Sequence, residues 1–293
     1  MKTIDKANFR IGAFWEATKP RLVFLVLWSV TVGFLLASFG PIDFLQLIQA
    51  LCGSALVAAG TMALNQWMER ESDAKMKRTE NRPLPSERLK PEEVLFFGIF
   101  LSLAGFLELA LAVNLLTAGL SALILTRYLF IYTPLKTKTS QSILAGAVPG
   151  ALPPVMGWAA ARGELNGGAW ILFAILFVWQ LPHFLAIGWV CREDYERAGF
   201  RVLPSADATG EKVGRQIMLY CLALHLVSFL PALSGMNGPV YYLGALLLGI
   251  WFLASSFKTA FRLDLEARRF FRNSILYLGL LLFLMILDQK VIS

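Results

Sequence analysis

Charged residues are scarce in this sequence. Asp, Glu, Lys and Arg make up only 16% of its 293 residues, whereas 57% are hydrophobic and the mean hydropathy is +0.60. A soluble globule of this length needs far more charge to cover its surface, so the composition excludes that class. Cysteine is also rare, and Cys52, Cys191 and Cys221 are too scattered along the chain to predict a metal-ligand pair.

Alternating apolar and polar residues are absent too, which excludes a membrane β-barrel. The apolar residues instead form nine blocks, most of them about 18–22 residues long, the length that a helix needs to cross a bilayer. The blocks cover residues 22–39, 44–64, 93–113, 115–131, 143–160, 169–190, 215–233, 240–257 and 273–289. The sequence therefore predicts an all-α integral membrane protein with nine transmembrane helices in a single bundle, one domain over residues 1–293.

The distribution of positive charge predicts the orientation. Of the 27 Lys and Arg residues, 25 fall in five segments that an odd number of spans places on one side, which the positive-inside rule identifies as cytoplasmic. These segments are residues 1–21, 65–92, 127–142, 191–215 and 258–272. The N-terminus, including residues 1–20, is then cytoplasmic and the C-terminus external, in a cell inner membrane. Topology explains the net charge of +7, and nucleic-acid binding is not expected.

Three segments on the cytoplasmic side have distinct predicted roles. Residues 65–92 and 191–215 are longer than connections need to be and carry both signs of charge, so we interpret them as the catalytic loops. Residues 257–272 place Phe257, Phe261 and Leu265 at helical spacing among cations, which predicts an interfacial helix lying on anionic membrane lipid. The active site is thus expected at the cytoplasmic face.

The first loop begins with a row of oxygen-bearing side chains. Asn65, Glu69 and Asp73 are spaced i, i+4, i+8, so on a helix that continues from the second span they share one face in steps of about 6 Å. The row is too long to chelate one ion, but it suits an extended anion such as a diphosphate held through Mg²⁺. We expect the row to lie on a solvent-exposed inner rim.

Basic residues follow the carboxylates directly. Lys75, Lys77, Arg78 and Arg82 can all bind phosphate oxygens, and the segment ends in a stiff Pro-Leu-Pro stretch. A solvated, salt-bridged loop that merely obeys the positive-inside rule is the alternative for any single residue. The ordered combination of acids for metal and bases for phosphate favours a binding site.

The pattern Asn-x3-Glu-x3-Asp-x2-Met-x-Arg-Thr-x2-Arg-Pro, which starts at Asn65, resembles the signature of the intramembrane (UbiA-type) prenyltransferase superfamily. That resemblance implies nine transmembrane helices, Mg²⁺ and a prenyl diphosphate substrate. It implies Asn65, Glu69 and Asp73 as catalytic metal ligands, and Lys77, Arg78 and Arg82 as diphosphate-binding residues. Ser72 departs from the pattern, where an apolar residue is usual.

Later segments are similar to the haem-modifying branch of that superfamily. The pair Tyr132 and Lys136 resembles an element that reaches the diphosphate, and residues 150–158, 179–184 and 193–199 resemble the haem branch in particular. The resemblance implies Glu193 and Asp194 as metal ligands, with Asp194 catalytic. It also implies farnesyl diphosphate and protohaem IX as substrates, a vinyl group as the acceptor, and haem A synthase as a partner.

Three residues are candidates for contacting the haem under this resemblance, namely Trp158, Trp179 and His183. A His inside a span requires a polar partner, so His183 either serves the haem or hydrogen-bonds to another helix beside Pro182. The aromatic rings either stabilise a carbocation or simply pack. Two other functions stay open, an aromatic-ring prenyltransferase for quinone precursors and a transporter, although the polar residues gather at the inner rim rather than at the midplane.

Overall fold

The computed structural model describes residues 2–38 and 40–290, so Phe39, the last residue of the predicted first span, lies outside the described residues. The described residues form helices joined by turns and loops, and they contain no β-strand, only an isolated bridge between Asn237 and Gln289. The helices are α1 (Lys2–Ala17), α2 (Pro20–Ala37), α3 (Phe44–Asp73), α4 (Pro91–Glu108), α5 (Leu115–Thr126), α6 (Thr133–Leu135), α7 (Ser142–Ala151), α8 (Pro153–Arg162), α9 (Gly167–Val190), α10 (Arg192–Arg197), α11 (Leu203–Ala206), α12 (Glu211–Val227), α13 (Leu230–Leu233), α14 (Pro239–Phe261) and α15 (Leu263–Leu287), with π-helical segments at Leu109–Val113 and Arg127–Tyr132.

Nine membrane-length helices occur within residues 2–38 and 40–290, which confirms the predicted fold class. Five are single helices, α2, α3, α9, α14 and α15, and a sixth is α4 with its π-helical extension. The other three combine shorter pieces: α5 with its π-helical extension and α6, α7 with α8, and α12 with α13. The second span is longer than its apolar block because α3 runs on to Asp73. The acidic row is therefore helical over its whole length, as its spacing predicts.

The predicted interfacial helix at residues 257–272 does not form as a separate element. Helix α14 continues to Phe261, the chain turns at Arg262, and α15 starts at Leu263. Leu263, Ala267 and Phe270 face the bundle and are buried, which binds this stretch into the ninth span. Phe257, Phe261 and Leu265, the residues that carried the prediction, are nevertheless exposed, with Leu265 at 79%. The amphipathic pattern therefore identified an outward face on two packed helices.

Close backbone contact joins α2 to α8. An added Cβ at Gly157 would lie 2.0 Å from the carbonyl oxygen of Val30, and one at Gly33 would lie 1.9 Å from that of Pro154. Only glycine permits such an approach. The segment 150–158, which resembles the haem branch, thus serves helix packing at least in part. Beside this contact, a core of α2, α7, α8, α9, α12, α14 and α15 residues fills the bundle.

The two predicted catalytic loops and the α1–α2 junction come together at one end of the bundle. We call this the loop end and define it by residues 16–19, 65–90, 132–136 and 191–201. Hydrogen bonds join these segments directly: the Lys77 amide donates to Asp194, at 3.2 Å, and the Arg201 amide donates to the carbonyl of Lys136, at 2.8 Å. The fold therefore assembles segments that are far apart in sequence, because consecutive spans return the chain to the same end.

Candidate active site

The row of oxygen-bearing side chains, Asn65, Glu69 and Asp73, lies at the loop end. Asn65 and Asp73 are each 1% exposed and Glu69 is 8% exposed, so all three are buried on one face of α3. The expectation of a solvent-exposed rim is wrong for these side chains. Burial of two carboxylates is unfavourable without partners, and the structure supplies them from other elements.

Each residue of the row contacts the cationic side chain of a different residue. One guanidinium nitrogen of Arg82 lies 2.7 and 2.8 Å from the two carboxylate oxygens of Asp73. The ammonium of Lys136 lies 2.8 Å from Glu69 Oε1, and that of Lys19 donates to Asn65 Oδ1, also at 2.8 Å. Three cations thus converge on two carboxylates and one amide, leaving an excess of positive charge if all are ionised.

Lys136 reaches Glu69 from the end of the fourth span. The helix is π-helical over Arg127–Tyr132 and continues through α6 to Leu135, and the next residue, Lys136, contacts Glu69 of α3. Such π-helical turns are frequent at functional sites. The Lys136 ammonium lies 4.5 Å from the centre of the Tyr132 ring. Burial alone would lower the pKa of Lys136, but the adjacent Tyr132 and Glu69 outweigh it and raise that pKa.

Lys19 is a site residue that the sequence prediction missed. It lies between α1 and α2 in the left-handed conformation, φ 50° and ψ 61°, which is uncommon for a residue other than glycine. Burial of the ammonium, with the like charge of Arg82, lowers the pKa of Lys19 to about 7. The following Pro20 could have indicated that the backbone here is not helical, but nothing local indicates that the side chain points to Asn65.

The other residues predicted to bind phosphate or metal lie near the row but form no hydrogen bond or ion pair with it. Lys77 and Arg78 are exposed, and Lys77 contributes its backbone amide to Asp194. Asp194 also forms an ion pair with Arg197, three residues on, and Glu193 is exposed. Within the described part of the chain no three Asp, Glu, His or Cys side chains form a group that could hold a metal, so the predicted five-residue metal set is not assembled as one cluster.

The donor atoms of the row nevertheless fit Mg²⁺. Its oxygens already lie 2.7–2.8 Å from cationic nitrogens, so they are directed toward positive charge. Magnesium takes oxygen ligands and is commonly held by one or two carboxylates together with substrate phosphates, not by a closed protein cage. Glu69 and Asp73 supply carboxylates of this kind.

Two of the candidate haem residues are held by the last span. His183 Nδ1 lies 2.7 Å from Ser274 Oγ, and the indole nitrogen of Trp179 donates to the Ser274 carbonyl, also at 2.7 Å. The His183 ring stacks between Trp179 and Phe271, with centroids 4.6 Å apart on each side. These contacts match the helix-to-helix alternative for His183, because a neighbouring helix satisfies its polar atom.

Trp158 lies at the opposite end of the bundle from the row. Its ring is buried against Gly168, near the start of α9, where an added Cβ would come within 2.2 Å of it. The second predicted catalytic loop follows the other end of α9, and at 1.5 Å per residue the two ends of this 24-residue helix are about 35 Å apart. The structure therefore does not bring Trp158 to the row.

Most of the chain is similar in sequence to known prenyltransferases. The model of the UbiA prenyltransferase family matches residues 26–284. The protoheme IX farnesyltransferase of Solibacter usitatus (strain Ellin6076) is 50% identical over 284 residues, covering 94% of this chain and 97% of that protein.

Solved structures resemble the fold at low sequence identity. A digeranylgeranylglyceryl phosphate synthase superposes with a TM-score of 0.77 at 17% identity, covering 95% of this chain and 98% of that one. A UbiA homologue from Archaeoglobus fulgidus bound to GPP and Mg²⁺ gives a TM-score of 0.65 at 14% identity, covering 93% and 99%. These similarities extend over nearly the whole length of both structures, so they concern the entire bundle.

Proposed function

The chain belongs to the UbiA prenyltransferase family, and on that premise we propose that it transfers a farnesyl group from farnesyl diphosphate to a vinyl group of protohaem IX. The observation that carries the proposal is the row of α3, in which Asn65, Glu69 and Asp73 face three cations. The choice of acceptor rests on the 50% identity to a protoheme IX farnesyltransferase over nearly the full length.

Arg82 and Lys136 bind the diphosphate in this proposal. Both are held within hydrogen-bonding distance of the row, so they are positioned before substrate arrives. As the allylic C–O bond breaks, negative charge develops on the leaving diphosphate, and these fixed cations stabilise it more than they stabilise the substrate. Exposed Lys77 and Arg78 attract the anion to the loop end, and Tyr132 positions Lys136.

Magnesium, held by Glu69 and Asp73 with Asn65 beside them, would supply further positive charge to the leaving diphosphate. The residues of the second loop contribute in a different way. Asp194 accepts a hydrogen bond from the Lys77 amide and so holds the two loops together, and Glu193 adds an exposed carboxylate next to it. We propose that this contact keeps the site closed to bulk water while the cation exists.

The prenyl cation adds to the vinyl group in this scheme, and water then completes the reaction. The new C–C bond joins the farnesyl chain to the vinyl carbon, the adjacent carbon takes a hydroxyl from water, and one proton is released. The product is a hydroxyethylfarnesyl porphyrin, which we propose is passed to haem A synthase. Trp179 and His183 are proposed to support the bundle through Ser274 and not to bind the iron, and Trp158 is proposed as a packing residue.

The proposed location is a cell inner membrane with the loop end on the cytoplasmic side. Support comes from the 25 of 27 cations in the segments at that side. Apolar side chains such as Phe96 and Leu111, exposed at 70% and 85%, are proposed to contact membrane lipid.

Expression in a host that makes protohaem but no farnesylated haem tests the function. We expect extracted haem to show the mass and absorption spectrum of the hydroxyethylfarnesyl product. Purified protein given farnesyl diphosphate, Mg²⁺ and either protohaem or a hydroxybenzoate should modify only the protohaem. Transfer to the hydroxybenzoate with protohaem untouched would identify a quinone-precursor prenyltransferase instead.

A further inference from the structure

The backbone of Lys19 is strained in a way that directs its side chain into the site. Among the described residues only Lys19 and Glu87 have positive φ without being glycine, and such residues persist where surrounding contacts over-determine them. Helix α1 is held to the first loop by the Gln66 side chain, which donates to the carbonyl of Ala17 at 3.0 Å, and by an ion pair of Glu16 with Arg88 at 2.7 Å. These contacts fix the α1–α2 junction and the direction of Lys19.

The contact that Lys19 makes is not a salt bridge. Its ammonium donates to the neutral amide oxygen of Asn65, whereas Arg82 and Lys136 each face a carboxylate. When all three cations are ionised they exceed the two carboxylates of the row by one positive charge, and Lys19 is the cation that has no carboxylate of its own. The charge at the loop end therefore calls for an anionic ligand near the Asn65 end of the row.

We propose that Lys19 is a third cationic binding residue for the diphosphate, delivered to the row by the junction of α1 and α2. The three cations then follow the row in the order Lys19, Lys136, Arg82, matching the order Asn65, Glu69, Asp73. Lys19 comes from neither catalytic loop, so the N-terminal helix is part of the substrate site. This inference rests on the proposed function and adds a residue to that site.

Binding of Mg²⁺ with inorganic pyrophosphate to the detergent-purified protein tests the inference without any acceptor. Lys19→Gly removes the charge and relieves the left-handed strain, so it should keep or raise the melting temperature while weakening pyrophosphate binding about 10- to 100-fold. Lys19→Arg should retain most of the binding. Glu87→Gly is the matched control, because it relieves the same strain at φ 55° on an exposed loop residue and should bind as the wild type does.

Steady-state kinetics provide the second measurement. The KM for farnesyl diphosphate should rise in Lys19→Gly while the KM for protohaem stays the same. Lys19→Asn, which tolerates the left-handed backbone, replaces Lys19→Gly if the latter is not recovered folded. Unchanged pyrophosphate binding in both neutral variants would overturn the inference about Lys19 and leave the proposed function standing. A KM that rises for protohaem but not for farnesyl diphosphate would do the same. Failure of the wild type to bind Mg²⁺-pyrophosphate would overturn the proposed function as well.

Discussion

Replacement of Asp73 by Asn is the sharpest test of the row. The substitution preserves the shape of the side chain and removes its charge. Asp73 is 1% exposed and accepts two contacts from Arg82, at 2.7 and 2.8 Å. The Asn amide keeps one acceptor oxygen for Arg82, but it coordinates a hard cation more weakly than a carboxylate does.

The structure permits separate estimates for stability and for rate. A hydrogen bond to a charged group contributes about 1.5–3 kcal/mol, and Arg82, whose side chain is 21% exposed, is partly screened by solvent. We therefore expect the free energy of unfolding to fall by about 1–2 kcal/mol, since one contact survives. Loss of one electrostatic contact to the developing charge costs about 10²–10³ in rate. Activity should thus suffer more than stability.

The assay compares Asp73→Asn with the wild type by farnesyl transfer to protohaem and by thermal melting, both in the same detergent. Asp264→Asn is the matched control, because Asp264 also pairs with an arginine, Arg192 at 3.2 Å, but its side chain is 70% exposed and it lies outside the row. That control should keep wild-type activity. An Asp73→Asn protein that inserts normally and transfers farnesyl at near the wild-type rate in Mg²⁺ would refute the assignment of the row.

Three further predictions concern the rest of the molecule. Reporter fusions after Asn81 and after Ser205 should both register as cytoplasmic, and external signals would contradict the orientation and the site placement. His183→Gln and Ser274→Ala should each lower the stability by about 1 kcal/mol and leave the KM for protohaem unchanged in kinetic assays; a raised KM in the His183 variant alone would mean that the imidazole contacts the acceptor. Gly157→Val should prevent recovery of folded protein, since an added Cβ meets a backbone carbonyl at 2.0 Å, and a normal melting temperature would argue against that packing.

Local patterns allowed much of the fold to be predicted from the sequence. The nine spans follow from a fixed bilayer thickness, which imposes one length on every apolar block. The alignment of Asn65, Glu69 and Asp73 follows from helical periodicity once α3 is known to continue past its apolar block. The boundary of a span is harder to predict where the helix extends into polar residues. Helix α15 starts at Leu263, ten residues before the predicted span, because Ala267 and Phe270 already pack against the bundle.

The partners within the site could not be read from local patterns. Motif resemblance placed Arg82 and Lys136 near the diphosphate, but it did not indicate which carboxylate each would face. It gave no role to Lys19, a cation that looks like any other residue obeying the positive-inside rule. The role of His183 could not be predicted from local patterns either, because its hydrogen-bond partner, Ser274, is 91 residues away in the chain.

Composition and residue spacing predict the class of protein, the number of spans and the face of α3 that carries the oxygens. These properties depend on hydrophobic length and on helix geometry, both of which act over a few turns of one segment. Packing of the helices, by contrast, brings Lys19, Lys136 and Arg82 to those oxygens and places Trp158 at the far end of the bundle. A buried carboxylate pairs with whichever cation packing brings within about 3 Å, and the identity of that cation depends on the arrangement of all the spans together.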